Sequence, residues 1–178
     1  HILTLLTSEE LEQEPCLPGL EDILCHTPLA RDARVCKAEA HRTYLCGTIV
    51  TPRHTREQHP ISFGYLLTKD RIIICDDAGV AYGMLQRIRE ENPQLTPNIG
   101  GLLYGFLELL IAKDMHHLQE LEEKLSRLEE QVLEGLLDNF NHQMTALRKE
   151  LMSWSHYYTQ LEDMVCEFGE NENKFFTD

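Results

Sequence analysis

The sequence predicts an α+β protein: a head built on short strands, followed by two long antiparallel helices. Three observations predict it. Apolar residues fall at Phe140, Met144, Leu147, Leu151, Trp154, Tyr158, Leu161, Val165 and Phe168, in alternating steps of four and three. That is a heptad seam along one helix. The same alternation runs through Leu118, Leu121, Leu125, Leu128 and Val132, so the two helices fold back on each other as a hairpin. Upstream, short runs of β-forming residues are separated by turn signals. One of them, Ile72-Ile73-Ile74, has the unbroken apolar character of a central strand covered on both faces.

In chain order, Ile2–Leu6 is a short apolar strand. Thr7-Ser8-Glu9-Glu10 is a capping box, with a hydroxyl three residues before a glutamate. The helix it starts runs to about Gln13 and is stopped by Pro15. Residues 16–30 are broken by Pro18, Gly19 and Pro28 and read as irregular, with a helical turn at 20–25. Residues 33–40 and 44–51 are strands joined by a turn near His41-Arg42, and 52–60 is a polar loop. Two further strands, 61–68 and 71–75, flank a tight turn at Lys69-Asp70. Asp76, Asp77 and Gly79 end the sheet. A helix at Val80–Glu91 then carries Val80, Met84, Leu85 and Ile88 on one face. Residues 92–98, with two prolines, are loop. The first long helix is expected from Ile99 to about Gly135, roughly 55 Å at ~1.5 Å per residue. Its opening, apolar nearly all round, docks on the head. The second runs from Leu136 to Phe168, with Gly169 as its stop and a polar tail at 170–178. The head is expected at residues 1–98 and the hairpin at 99–178, as one structural unit.

Net charge is −14, distributed unevenly. Residues 1–113 carry 15 acidic and 11 basic side chains, a net of −4; residues 114–172 carry 14 and 4, a net of −10. Such a surface repels nucleic acid and attracts cations; it also keeps a helical rod soluble. No run approaches the roughly 18–20 apolar residues of a membrane span, and Ile2–Leu6 is too short for a secretory signal. Cys16, Cys25, Cys36, Cys46, Cys75 and Cys166 form no C-x-x-C pair and no zinc-finger spacing with histidines. They read as small buried hydrophobes in a reducing cytosol.

Candidate chemistry is sparse. His54 and His59 lie in a polar loop without a third ligand nearby. His116 and His117 are adjacent on a helix, about 100° apart, and read as a solvated face. Asp76-Asp77 at a strand end suits a hard cation, but reads first as an ordinary turn. Gly100-Gly101 permits close packing or marks a helix start one turn later. No Ser-His-Asp pattern, nucleophile elbow or phosphate-binding glycine loop is present, Trp154 falls on the helical seam, and no enzyme is expected.

From Tyr44 onward the order of segments resembles the cytoplasmic domain of the CorA family of magnesium transporters. Ile61-Ser-Phe-Gly-Tyr-Leu-Leu-Thr-Lys-Asp-Arg-Ile-Ile-Ile74 resembles that family's strand, turn and strand, and Leu85-Gln-Arg-Ile-Arg89 its basic helix. Leu102-Leu-Tyr-Gly-Phe-Leu-Glu-Leu-Leu-Ile111 resembles its L-x-Y-x-L-L-D-x-I-V helix. Leu128-Glu-Glu-Gln-Val-Leu-Glu134 and Leu147-Arg-Lys-Glu-Leu151 resemble its L-E-E-x-V-L-E and L-R-R-x-L stretches. The similarity covers residues 44–168.

The resemblance implies a three-layer α/β/α head with a mixed sheet and two long acidic helices, on the cytoplasmic side of the cell membrane. It implies a homo-oligomer, pentameric in the full-length protein, and Mg²⁺ or another divalent cation as regulator and transported ion, with no resident cofactor. A stalk helix and two spans are expected beyond Asp178, the only route to the membrane. The isolated fragment is not expected to form a stable pentamer. The family's Gly-Met-Asn pore signature is absent: Tyr82-Gly83-Met84 is followed by Leu85 on an amphipathic helix. Tyr82 also stands where well-known members carry a sensing aspartate, and the partnering carboxylate would lie on the stalk, so no metal ligand is assigned. The other class of function is a soluble scaffold whose hairpin drives oligomerisation, with no transport role.

Overall fold

The computed structural model describes residues 2–52, 60–91, 98–112, 114–135, 139–170 and 174–175. Five strands, β1 (Ile2–Leu6), β2 (Lys37–Ala40), β3 (Leu45–Val50), β4 (Ser62–Leu67) and β5 (Arg71–Cys75), form one sheet in the order β1-β5-β4-β3-β2. β1 runs parallel to β5, with Leu5 opposite Ile74, and the remaining pairs are antiparallel. The sheet is therefore mixed, and β5 lies inside it, as its isoleucine run predicts.

The two sheet faces bury different partners. Leu45, Ile49, Phe63, Tyr65, Leu67, Ile72 and Ile74 face the helices α2 (Val80–Glu91), α3 (Ile99–Ile111), α4 (Asp114–Leu133) and α5 (Phe140–Glu170). Tyr44, Cys46, Leu66, Ile73 and Cys75 face a thinner layer. That layer holds α1 (Ser8–Glu12) and 3-10 turns at Leu24–His26 and Ala30–Asp32. The three-layer arrangement follows from the period-2 alternation of strands whose two faces are both apolar.

Local chemistry explains most boundaries. The Thr7 side chain accepts the Glu10 N–H, and the Glu10 carboxylate accepts the Thr7 N–H at 2.8 Å, completing the expected capping box. β2 starts four residues later than expected, because Thr48 Oγ1 donates to the Val35 carbonyl at 2.7 Å. The ladder to β3 begins only at Lys37 opposite Thr48. Gly47 lies opposite Tyr65, and a side chain there would collide with the Tyr65 ring and the Lys37 carbonyl. The Tyr65 hydroxyl occupies that space and donates to the same carbonyl at 2.8 Å.

The rod differs from expectation in three ways. One long first helix is expected, yet the structure records two, α3 and α4. α4 starts at Asp114, a buried carboxylate that accepts the Tyr158 hydroxyl at 2.9 Å. An acidic residue in a first turn is favoured by the helix dipole, so a polar anchor stands where the heptad reading assumed continuous helix. α3 docks on the sheet through Phe106, edge-to-face with Phe63 at 5.3 Å. Asn98 caps it by accepting the Gly101 N–H, so both glycines lie within its first turn.

The second difference is the buried stripe of α5. Leu147, Trp154, Leu161 and Phe168 are buried as expected, but Leu151 and Val165 are exposed, and Tyr157 and Met164 are buried instead. Only part of α5 faces α4, antiparallel to it, as the pairs Asp114–Tyr158 and His117–Glu150 show. Its later part seats on the sheet: Gln160 Oε1 accepts the Cys36 N–H at 3.1 Å, and Phe168 meets Tyr65 edge-to-face at 5.9 Å. A helix that changes partners turns a neighbouring stripe inward. On α4, Leu121 and Leu128 are buried, whereas Val132 is exposed. The third difference is the end: α5 runs through Gly169 to Glu170. Gly135, with φ +75°, does end α4, donating its N–H to the Val132 carbonyl at 3.1 Å.

Candidate functional site

Asp76 and Asp77 follow β5 and face the start of α1. Asp76 is buried, and its two carboxylate oxygens accept the Ala78 N–H at 2.9 Å and the Ala81 N–H at 2.7 Å. Ala81 is the second residue of α2, so Asp76 caps that helix from five residues upstream. Asp77 accepts the Ser8 N–H at 2.6 Å and the Ser8 hydroxyl at 2.7 Å, which caps α1. Each of the four oxygens therefore holds a donor. All four oxygens are thus engaged in capping, the arrangement of an ordinary turn.

The histidines divide. His54 and His59 lie outside the described residues. His116 is 80 % exposed and reaches Glu120 at 3.4 Å, a solvated face as expected. His117 corrects that expectation: it is 4 % exposed, packs against Trp154 with ring centroids 5.0 Å apart, and meets Glu150 at 3.1 Å. With Asp114 and Tyr158 it forms a polar seam inside the helical hairpin. Burial first, then the Asp114 carboxylate, push the Tyr158 hydroxyl's pKa above its ordinary value. Trp154 is core, as its position on the seam predicts.

The cysteines also divide. Cys36, Cys46 and Cys75 are buried and Cys16, Cys25 and Cys166 exposed, all six as free thiols. The exposed three depart from the expected burial; Cys166 is exposed along with Val165 on the outer face of α5.

The rod's acidic surplus faces solvent, with Glu122, Glu123, Glu129 and Glu130 all exposed on α4. It is not gathered in the cleft of about 1550 Å³ between the hairpin and the sheet. There Arg34, Lys124, Arg127 and Lys149 stand with Glu120 and Glu150. Among the described residues the lining is therefore of mixed charge, which builds no cation funnel.

Among the described residues, one group brings together three side chains suited to a metal ion: Glu39, His41 and Cys46, whose ligand atoms lie within 4.8 Å of one another. Sequence reasoning missed it because the three residues fall at no metal-ligand spacing along the chain. The signal was the hairpin itself, in which β2–β3 pairing sets Glu39 opposite Cys46.

No protein-family model matches the chain, and no curated protein matches its sequence. Among solved structures, the fold is similar to the soluble domain of CorA from Methanocaldococcus jannaschii, with a TM-score of 0.72 and 19 % identity. The match covers 97 % of this chain and 70 % of that one. At this identity the likeness establishes the fold. Among the described residues, no helix is long and apolar enough to cross a membrane.

Proposed function

We propose that this chain is the cytoplasmic regulatory domain of a CorA-like divalent-cation transporter. The observation that carries the reading is the fold match over 97 % of the chain to a transporter's soluble domain. The ordered motif resemblance over residues 44–168 supports it independently of the fold. In this reading the transporter is a homo-oligomer that passes Mg²⁺ or a related divalent ion, and the head responds to that ion on the cytoplasmic side. Asp76 and Asp77 act as helix caps, and in this reading the sensing carboxylates come from the stalk or from a neighbouring subunit.

The test is the coding sequence beyond Asp178, followed by flux. A long helix and two apolar spans are expected there, and the full-length protein in liposomes should pass Mg²⁺ to an internal indicator dye. A stop codon soon after Asp178, or no divalent flux, overturns the reading. The competing reading, an oligomerisation module, draws on exposed Leu133, Leu151, Met152 and Val165 along the rod. It predicts a tight oligomer of this fragment alone, indifferent to divalent ions.

A further inference from the structure

The β2–β3 hairpin carries a thiol, an imidazole and a carboxylate at one point of the sheet. Glu39 and Cys46 are directly paired across the two strands, and cross-strand partners project to the same face. His41 follows at the turn, where its N–H donates to the Tyr44 carbonyl at 2.8 Å. Its ring stacks on Tyr44 with centroids 4.4 Å apart and planes 21° apart, and His26 stacks on Tyr44 as well, at 5.3 Å and 9°. Tyr44 is itself buried. The imidazole is thus held by a stack built on the core, while Cys46 is held by the core directly.

We infer that Glu39, His41 and Cys46 form a binding site for a borderline-soft divalent metal, Zn²⁺ above all, on the β2–β3 hairpin. The donor set decides the class of ion. Thiolate, imidazole and carboxylate are the ligands of zinc, whereas Mg²⁺ takes an octahedron of oxygens. The site therefore differs in kind from one for the ion in the proposed transport. It stands whether or not the chain belongs to a transporter.

The geometry is close to what zinc needs. Metal–ligand bonds of about 2.0–2.3 Å place two tetrahedral ligand atoms roughly 3.5 Å apart. The three atoms here lie within 4.8 Å. Exposed Glu39 closes that gap by side-chain rotation, while His41, stacked on Tyr44, and buried Cys46 stay in place. One competitor is present: Lys37 Nζ pairs with Glu39 Oε1 at 2.5 Å. Metal binding replaces that pair. It also forms an S–Zn bond, and the thiol proton leaves to solvent. The three protein ligands leave a fourth position for water. Because β2 is also the strand whose start is tied to α5 through Cys36 and Gln160, occupancy clamps the hairpin on which the rod is seated.

The test uses Co²⁺ as a spectroscopic probe on the reduced protein, with Zn²⁺ as the displacing ion. A thiolate-to-cobalt charge-transfer band is expected, removed by stoichiometric Zn²⁺ and unaffected by millimolar Mg²⁺. Cys46→Ser should abolish the band. His41→Ala, at an exposed position, should weaken Zn²⁺ binding by at least tenfold, the scale at which even outer-shell partners act. Lys37→Ala, which frees Glu39, should tighten it. Cys25→Ser and Cys16→Ser should leave the band unchanged. Absence of the band, its survival in Cys46→Ser, or equal affinity in His41→Ala overturns the assignment. Should Cys46→Ser fail to fold, His41→Ala alone decides.

Discussion

Replacing Asp76 tests whether the acidic pair after β5 is a cap or an ion site. Asp76 is 7 % exposed and accepts two backbone N–H groups, from Ala78 and Ala81. Ala81 is fully buried, so its N–H gains no water when the carboxylate is removed. Losing a helix cap costs about 1 kcal/mol, and leaving a buried donor unpaired costs a further 1–3 kcal/mol or so. Asp76→Ala should therefore destabilise the protein by about 3 kcal/mol. For a chain of this size that lowers Tm by roughly 6–12 °C, at about 2–4 °C per kcal/mol. Asp76→Asn retains one accepting oxygen but presents an NH₂ group to the other N–H, and should lose about half as much. Thermal unfolding followed by circular dichroism, with Mg²⁺ and with monovalent salt of equal ionic strength, measures both. Any Mg²⁺-specific stabilisation should be the same in wild type and variants. If instead Asp76→Asn raised Tm and erased a Mg²⁺ effect, repulsion between Asp76 and Asp77 would dominate. The pair would then be an ion site and the capping argument wrong.

Trp154→Ala removes a side chain 2 % exposed and packed among His117, Tyr157 and Tyr158. It should cost about 3–5 kcal/mol, read by urea unfolding with circular dichroism, since Trp154 is the chain's one tryptophan. Gly64→Ala would drive a methyl group into the Pro28 carbonyl, which is backbone and cannot turn aside; a loss of about 3 kcal/mol is expected. Stability should also fall at alkaline pH. Burial raises the thiol pKa of Cys36, Cys46 and Cys75, and raises the hydroxyl pKa of Tyr65 and Tyr157. The folded state then holds protons that the unfolded state releases above about pH 8.5 for thiols and 10 for tyrosines. Their contribution is complete below those values and is lost as pH rises through the folded ones, at ~1.4 kcal/mol per pH unit per group. Unfolding midpoints across pH 7–11 should be flat and then decline, and Tyr65→Phe should soften the steepest part.

The local code of this chain is readable in its sequence alone. Thr7 and Glu10 announce a capping box, Gly135 announces a helix end, and Ile72-Ile73-Ile74 announces an interior strand, because each depends on residues adjacent in sequence. The pairing of β1 with β5 is different. It joins residues about 69 apart, and no local pattern distinguishes it from other edge positions. The rod shows the same division. Heptad periodicity determined that α4 and α5 carry apolar stripes, and their succession along the chain that they lie antiparallel. It could not choose between Leu151 and Tyr157, or between Val165 and Met164, as inward residues. Those neighbouring stripes satisfy the same spacing, and the choice was made by the sheet on which the end of α5 seats. The Asp114 anchor beneath Tyr158 and the joining of Glu39, His41 and Cys46 are likewise tertiary outcomes. Periodicity along one chain specifies which faces are apolar, but burial and ligand geometry are set by whatever second surface those faces meet.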